Sequence, residues 1–253
     1  MTLQDFFQQN NKVALGFSGG VDSSYLLWAA IQYGSDVRAY YMKTAFQPQF
    51  EYEDAMELAA QIGAEVTVLE HDILSHPEVA SNPQDRCYHC KRQIFGAICR
   101  AAREDGYTTI LDGTNASDPA EDRPGMKALS EMKVLSPLAL CGITKREVRE
   151  RSKAAGLFTW NKPSYACLAT RIPTGETITE DALARVERAE DVLREHGLRD
   201  FRVRKRGETG LIQVPEAEME KVLAIRQEII EGITPYFGEV VLDLKGRVAY
   251  DEK

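Results

Sequence analysis

No stretch of this 253-residue chain approaches the roughly 20 consecutive apolar residues that cross a bilayer, so a helical membrane span is excluded. The start, Met1-Thr2-Leu3-Gln4-Asp5-Phe6-Phe7, lacks the basic and apolar regions of a secretory leader, and a cytoplasmic location is expected. Basic charge is also short. Against 39 Asp and Glu stand 31 Lys and Arg, and the net charge of −8 disfavours a broad nucleic-acid surface. The five cysteines of such a chain read as thiols or metal ligands rather than a disulfide framework. Internal repeats and low-complexity segments are missing, which sets aside solenoids and linker-rich architectures. What remains is a chain long enough to bury a substantial core in one large domain or two small ones.

Behind the apolar run Val13-Ala14-Leu15 comes Phe17-Ser18-Gly19-Gly20-Val21-Asp22-Ser23-Ser24. This reads as a buried strand turning through two glycines into a helix. Such a turn presents backbone N–H groups at a helix N-terminus, which suits a phosphate, and the glycines let the main chain approach the anion. Ser23 and Ser24 add hydroxyls, and Asp22 suits Mg²⁺ or the orientation of the loop. No Gly-Lys-Ser/Thr closes the turn, so it is not a Walker A loop. A Ser-Gly-Gly-x-Asp-Ser turn this near the start resembles the pyrophosphate loop of ATP pyrophosphatases, which adenylate a substrate and release pyrophosphate.

Hydrophobic periodicity predicts strands at Val13–Phe17, Val37–Met42, Glu65–Leu69 and Thr108–Leu111, and helices at Ser23–Tyr33, Glu51–Ile62 and Lys91–Glu104. This alternation predicts an α/β fold with a parallel sheet, whose ligands bind beyond the carboxyl ends of the strands. A further helix, Lys145–Ala155, has Thr144 as N-cap with Glu147 three residues on. After the Pro- and Gly-punctuated loop Asn161–Gly175, the pattern changes. A helix over Glu180–His196, a hairpin over Phe201–Val214, a helix from Pro215 to about Ile230 and a strand over Glu239–Leu244 predict a small α+β module. The domains expected are therefore 1–160 and 161–253.

Three further features carry chemistry. In Arg86-Cys87-Tyr88-His89-Cys90-Lys91, read as part of a loop, two thiols at CxxC spacing suit a metal, a cluster or a redox disulfide. Cys167, in Pro163–Gly175, is a possible third ligand; Cys99 and Cys141 read as small buried residues. Asp112-Gly113-Thr114-Asn115-Ala116-Ser117-Asp118 follows a strand and would face the first loop, and Arg123 suits a phosphate. Finally, strand alternation puts Arg202, Arg204 and Arg206 on one face, as a clamp for a substrate phosphate or as a solvated face.

Taken in order, Ser18–Ser23, Arg86–Lys91, Asp112–Asn115, Arg123-Pro124-Gly125, Cys167 with Arg171-Ile172-Pro173, and Arg202–Arg204 resemble the sulfur transferases that build the nickel-pincer nucleotide, the cofactor of lactate racemase and related enzymes. The resemblance runs along nearly the whole chain. It implies an ATP pyrophosphatase domain at 1–160, of the adenine nucleotide alpha hydrolase-like type, and a substrate-binding and oligomerisation module at 161–253. It also implies adenylation, with ATP and Mg²⁺, of the carboxylates of pyridinium-3,5-biscarboxylic acid mononucleotide, and their conversion to thiocarboxylates. Position by position, Ser18, Gly19, Gly20, Val21, Asp22, Ser23 and Ser24 would bind the ATP phosphates, with Asp22 near Mg²⁺. Cys87, Cys90 and Cys167 would hold a [4Fe–4S] cluster fed by a sulfide source, and Arg202 and Arg204 would bind the phosphate of the small-molecule nucleotide substrate. Some members instead sacrifice the cysteine matching Cys167; the presence of Cys87 and Cys90 favours the cluster. A homo-oligomer is also implied. A tRNA thiolation enzyme, an amidating ATP pyrophosphatase and a nucleotide-binding regulator are the competing readings.

Overall fold

Val13, Leu15 and Phe17 pack into one buried cluster and their neighbour Ala14 into another. A strand buried on both faces belongs in the middle of a parallel sheet with a helical layer on each side. The computed structural model, which describes residues 1–118 and 124–247, shows this arrangement. In chain order the elements are α1 (Leu3–Gln9), β1 (Lys12–Phe17), α2 (Val21–Gln32), β2 (Asp36–Lys43), α3 (Gln49–Ile62), β3 (Val66–Glu70), α4 (Pro77–Ala80), α5 (Arg86–Glu104) and β4 (Thr109–Leu111). Then follow α6 (Pro124–Glu131), α7 (Pro137–Leu140), α8 (Lys145–Ala154), α9 (Glu180–Glu195), β5 (Arg202–Arg206), β6 (Thr209–Gln213), α10 (Glu216–Ala224), α11 (Arg226–Ile233) and β7 (Glu239–Leu242).

The chain divides into two units, Met1–Ile73 with Asp85–Lys162, and Leu74–Gln84 with Pro163–Lys253. In the first, the sheet order is β3-β2-β1-β4 and every pairing is parallel. Leu26 and Leu27 of α2 and Leu58 of α3 share a core with Val13, Leu15 and Tyr41, whereas Phe95 and Ile98 of α5 meet Ala14, Tyr40 and Met42. Each such side chain contributes about 1.5–3 kcal/mol by burial, so the alternation fixes which helix covers which face. Gly16 allows the close cover: a Cβ there would stand 2.9 Å from the Phe95 ring.

The second unit holds a three-stranded sheet in which β5 and β6 run antiparallel and β7 joins β6 in parallel. Its 74–84 segment is tied in by Asn82, whose Nδ2 donates to the Pro173 carbonyl at 2.8 Å and whose own carbonyl accepts from Gly175 N at 2.8 Å.

Most predicted elements are present; α4, α6 and α7 are additional to them, and three further differences stand out. The CxxC is not in a loop, because α5 starts at Arg86, five residues earlier than expected; Tyr88 N and His89 N both donate to the Asp85 carbonyl and open the helix there. The helix expected from Pro215 to about Ile230 is two helices that meet at Ile225. Helix α1 was not anticipated, although Thr2 and Asp5 form a reciprocal capping box in front of buried Phe6 and Phe7.

Candidate active site

Gly19 sits at φ +71°, and a Cβ there would fall 2.6 Å from the Ala55 Cβ and 2.9 Å from the Ala55 Cα. Both the backbone conformation and the packing against α3 therefore require glycine at this position. Gly20 is the N-cap of α2 and caps nothing with a side chain, so the first N–H groups of the helix have no side-chain cap. Ser23 Oγ lies 3.1 Å from Ser18 Oγ, donates to the Gly20 carbonyl at 3.3 Å and accepts from Ser18 N at 3.3 Å. These bonds close the turn. Ser24, expected to offer a hydroxyl to phosphate, is fully buried, and its N–H is spent on the Gly20 carbonyl. Its side chain is not among those that line the crevice.

The loop after β4 meets this turn closely. A Cβ on Gly113 would stand 2.9 Å from Ser23 N, so the two backbones touch. Asp112 is buried and accepts from Ser136 Oγ at 2.5 Å and from the Thr114 hydroxyl. Asn115 Nδ2 donates to Asp22 Oδ1 at 3.3 Å, while Lys145, the first residue of α8, brings Nζ to 2.7 Å from Asp22 Oδ2. Burial pushes the Asp22 carboxyl above its ordinary range, and the Lys145 ammonium only partly offsets it. Lys145 is held in place by the Thr144–Glu147 capping box that the sequence predicts. No local signal in the sequence marks Lys145 as a partner of Asp22.

A cavity of about 300 Å³ opens beside these groups. Its polar wall includes Ser18, Gly20, Asp22, Ser23 and Asp112, and its apolar wall includes Met42, Ile94, Phe95 and Ile98. Lys91 also lines it, one turn of α5 from Phe95. An elongated ligand with an anionic end and a flat apolar end matches these walls.

Cys87 and Cys90, three residues apart in the first turns of α5, lie on one face of that helix. Cys87 is exposed and Cys90 half-buried; Arg86 Nη2 is 4.0 Å from the Cys87 sulfur. His89 turns back to Asp85, with Nε2 3.3 Å from Oδ2. Cys99 is buried, as expected of a small core residue, and burial pushes its thiol up; Cys141 is only partly buried. Arg123 lies outside the described residues.

In the second unit, Cys167 is half-buried and caps the short 3₁₀ turn Leu168–Arg171. Arg202 is buried and donates to the carbonyls of Ser164 and Phe201, both at 2.5 Å. Arg204 donates to the Thr170 carbonyl at 2.7 Å and to Gln213 at 2.5 Å. The three alternate arginines of β5 thus grade from buried Arg202 through half-buried Arg204 to exposed Arg206. Burial first, then Arg171 and Arg247, pushes Arg202 down to about 10, while Glu190 and Asp200 act in the opposite direction. Among the described residues, no group of three or more His, Cys, Asp or Glu forms a metal centre, and no helix is long and apolar enough to cross a membrane.

A parallel sheet, a Ser-Gly-Gly turn opening a helix and a facing acidic loop define an ATP pyrophosphatase fold of the pyrophosphate-loop type, and similarity to known proteins narrows the class to ATP-using sulfur transferases. No protein-family model matches the chain. It is 34% identical over 250 residues to an uncharacterised protein, slr1717, of Synechocystis, covering 96% of this chain and 92% of that one. It is 32% identical over 248 residues to pyridinium-3,5-bisthiocarboxylic acid mononucleotide synthase of Lactiplantibacillus plantarum, covering 97% and 90%. A tRNA-specific 2-thiouridylase of Thermotoga petrophila is 24% identical over 147 residues, 47% of this chain and 40% of its own. The chain belongs to the family of the pyridinium-3,5-bisthiocarboxylic acid mononucleotide synthase.

Proposed function

We propose that this protein adenylates the carboxylates of pyridinium-3,5-biscarboxylic acid mononucleotide and replaces AMP by sulfur, giving the thiocarboxylates of nickel-pincer nucleotide synthesis. One observation carries the reading: similarity along 97% of the chain to a protein named for that product. The first unit supplies activation. Ser18–Ser23 bind the ATP phosphates with the N-terminus of α2, the apolar wall at Ile94, Phe95 and Ile98 receives the adenine, and Asp22 would hold Mg²⁺, which would supply countercharge to the phosphates. A carboxylate oxygen is a poor leaving group, whereas AMP departs readily; the leaving pyrophosphate remains beside the loop, and Lys145 offsets part of its charge. Arg123 is a further phosphate ligand in this reading.

The second unit supplies Arg202 and Arg204 for the substrate phosphate, supported by the neighbouring guanidinium groups of Arg171 and Arg247. Cys87, Cys90 and Cys167 are the sulfur-handling residues. Thiolates are the ordinary ligands of iron–sulfur clusters, and Cys87 and Cys90 share one face of the start of α5. Cys87, Cys90 and Cys167 would hold a [4Fe–4S] cluster, which would supply sulfide, taken from a sulfide source, for the transfer. Sacrifice of the Cys167 sulfur is the second form of the same reaction. The protein acts in the cytoplasm as a homo-oligomer, with the second unit as substrate and oligomerisation module. Similarity to tRNA thiolases extends over 47% of this chain in one case and 65% in another, against 97% for the pyridinium mononucleotide synthase, and the net charge of −8 opposes a tRNA surface.

Anaerobic reconstitution followed by turnover with ATP, Mg²⁺, substrate and sulfide tests the proposal. Expected are pyrophosphate release dependent on the nucleotide substrate, thiocarboxylate product, and iron and sulfide at about four each per chain. Failure of substrate-dependent pyrophosphate release rejects the function. Active protein that is colourless, free of iron and short of one sulfur at Cys167 rejects the cluster in favour of sacrifice.

A further inference from the structure

The segment carrying Cys167 has only the short 3₁₀ turn Leu168–Arg171 as regular structure, in which Thr170 N donates to the Cys167 carbonyl at 3.0 Å, and four of its carbonyls are bound by arginines. Arg202 takes Ser164, Arg204 takes Thr170, and Arg171 Nη1 takes both Ala166 at 2.6 Å and Cys167 at 3.2 Å. Arg171 is the centre of this arrangement. Its side chain is fully buried, and its other edge forms a fork with Glu190 of α9, Nε to Oε1 at 2.8 Å and Nη2 to Oε2 at 3.1 Å. The Glu190 oxygens are completed by Val203 N of β5 at 2.9 Å and by the Tyr165 hydroxyl at 2.5 Å. The Arg171 guanidinium also lies 4.4 Å from the centroid of the Tyr165 ring.

We propose that Arg171, locked by Glu190, is a positioning residue that fixes the backbone on both sides of Cys167 and thereby aims its sulfur. The proposal rests on the reading of Cys167 as a sulfur-handling residue and names the device that holds it. A buried ion pair is seldom a better source of stability than apolar packing, so a fully satisfied one calls for another role. Here the role is geometric. A planar guanidinium with donors on two edges joins a rigid acceptor on α9 and β5 to two successive carbonyls of the loop, and lysine cannot span both. A sulfur displaced by about 1 Å loses up to a hundredfold in rate, so the fork matters to transfer and much less to the adenylation that precedes it.

The test is Arg171→Lys in the full chain. Amide exchange at Ala166–Arg171 is expected to rise about tenfold while α9 and β5 keep their protection. Substrate-dependent pyrophosphate release in the first turnover should stay within about twofold, and thiocarboxylate formation should fall tenfold or more. Unchanged exchange in the loop overturns the proposal, as does a proportional fall of both chemical steps together with the melting temperature. If Arg171→Lys does not fold, Tyr165→Phe keeps the ring and removes the hydroxyl on Glu190. The same split with a smaller loss supports the device, and equal effects on both steps reject it. Absence of pyrophosphate release in the unmodified protein rejects the proposed function alone, because the exchange measurement still decides whether Arg171 fixes the loop.

Discussion

Lys145 and Asp22 lie 123 residues apart in the chain, and the ammonium of one stands 2.7 Å from the carboxylate of the other. Their side chains are 17% and 22% exposed, so the pair is partly withdrawn from water. Helix α8 begins at Lys145 and helix α2 carries Asp22 in its first turn. The contact therefore ties two helix N-termini together beside the Ser-Gly-Gly turn. It offsets part of the burial that pushes the Asp22 carboxyl above its ordinary range.

Breaking the pair from one side leaves a partly buried charge without its partner. Lys145→Gln is expected to destabilise the protein by about 1–3 kcal/mol and to push Asp22 further above its ordinary range. The double variant Asp22→Asn with Lys145→Gln removes both charges and should recover much of that loss. Denaturant midpoints of the two single variants and the double close the cycle, with a coupling of about 0.5–3 kcal/mol expected. Strict additivity would show the contact to be energetically idle.

The two glycines of the turn should respond differently to the same methyl group. Gly19→Ala meets the Ala55 backbone at a positive φ, whereas Gly20→Ala meets only Ser18 Oγ at 3.4 Å at an ordinary φ. Gly19→Ala is expected to cost about 1–3 kcal/mol and to abolish ATP binding, since the turn must open to relieve the clash. Gly20→Ala should fold with nearly unchanged stability. Calorimetric melting and ATP titration of both variants decide this.

Helix α8 depends on Thr144, whose hydroxyl accepts from Glu147 N while the Glu147 carboxylate accepts from Thr144 N at 2.8 Å. That backbone bond, first among its causes, holds Glu147 below the usual carboxylate range. The folded protein thus binds this proton less readily than the unfolded chain. The associated stability is present above the unfolded value near 4.5 and is lost as pH falls through the folded value. Thr144→Ala should cost about 0.5–2 kcal/mol near neutrality and return the Glu147 titration upward. Carboxyl NMR shifts against pH measure it.

How much of this was readable in the sequence differs from element to element. Strand β1 announces itself, because burial on both faces goes with a continuous apolar run just ahead of the Ser-Gly-Gly turn. The start of α5 did not. Its first turn is Arg-Cys-Tyr-His-Cys-Lys, in which no apolar period exists, and the available signal was Asp85 just ahead of it. The break at Ile225 carries neither Gly nor Pro, so local propensity has nothing to mark there. Segment 74–84 is claimed by the second unit through Asn82, whose partners lie about 90 residues on, and such pairing has no local pattern. The partnership of Lys145 with Asp22 is hidden for the same reason. The basic strand shows alternation correctly, but its side chains' use of loop carbonyls follows only from the path of residues 163–171.

The guanidinium cluster gives the last prediction. Arg202 is pushed down to about 10 by burial and by Arg171 and Arg247, so in the neutral range its charge opposes folding. The sign follows from the shift: the folded group releases its proton more readily, and the opposition fades only as pH rises beyond about 10. A dianion seated there supplies the missing negative charge. Inorganic phosphate at ten times its dissociation constant should therefore stabilise the protein by about 1.4 kcal/mol, or about 3–5 °C in melting temperature for a chain of this size. Arg204 is half-buried at the same cluster, and Arg204→Gln should remove most of the rise while leaving Arg202 on the Ser164 carbonyl. Sodium chloride at matched ionic strength separates a specific site from simple screening. An equal rise in chloride, or an undiminished one in Arg204→Gln, would remove the anion site and leave these arginines as straps for the Cys167 loop alone.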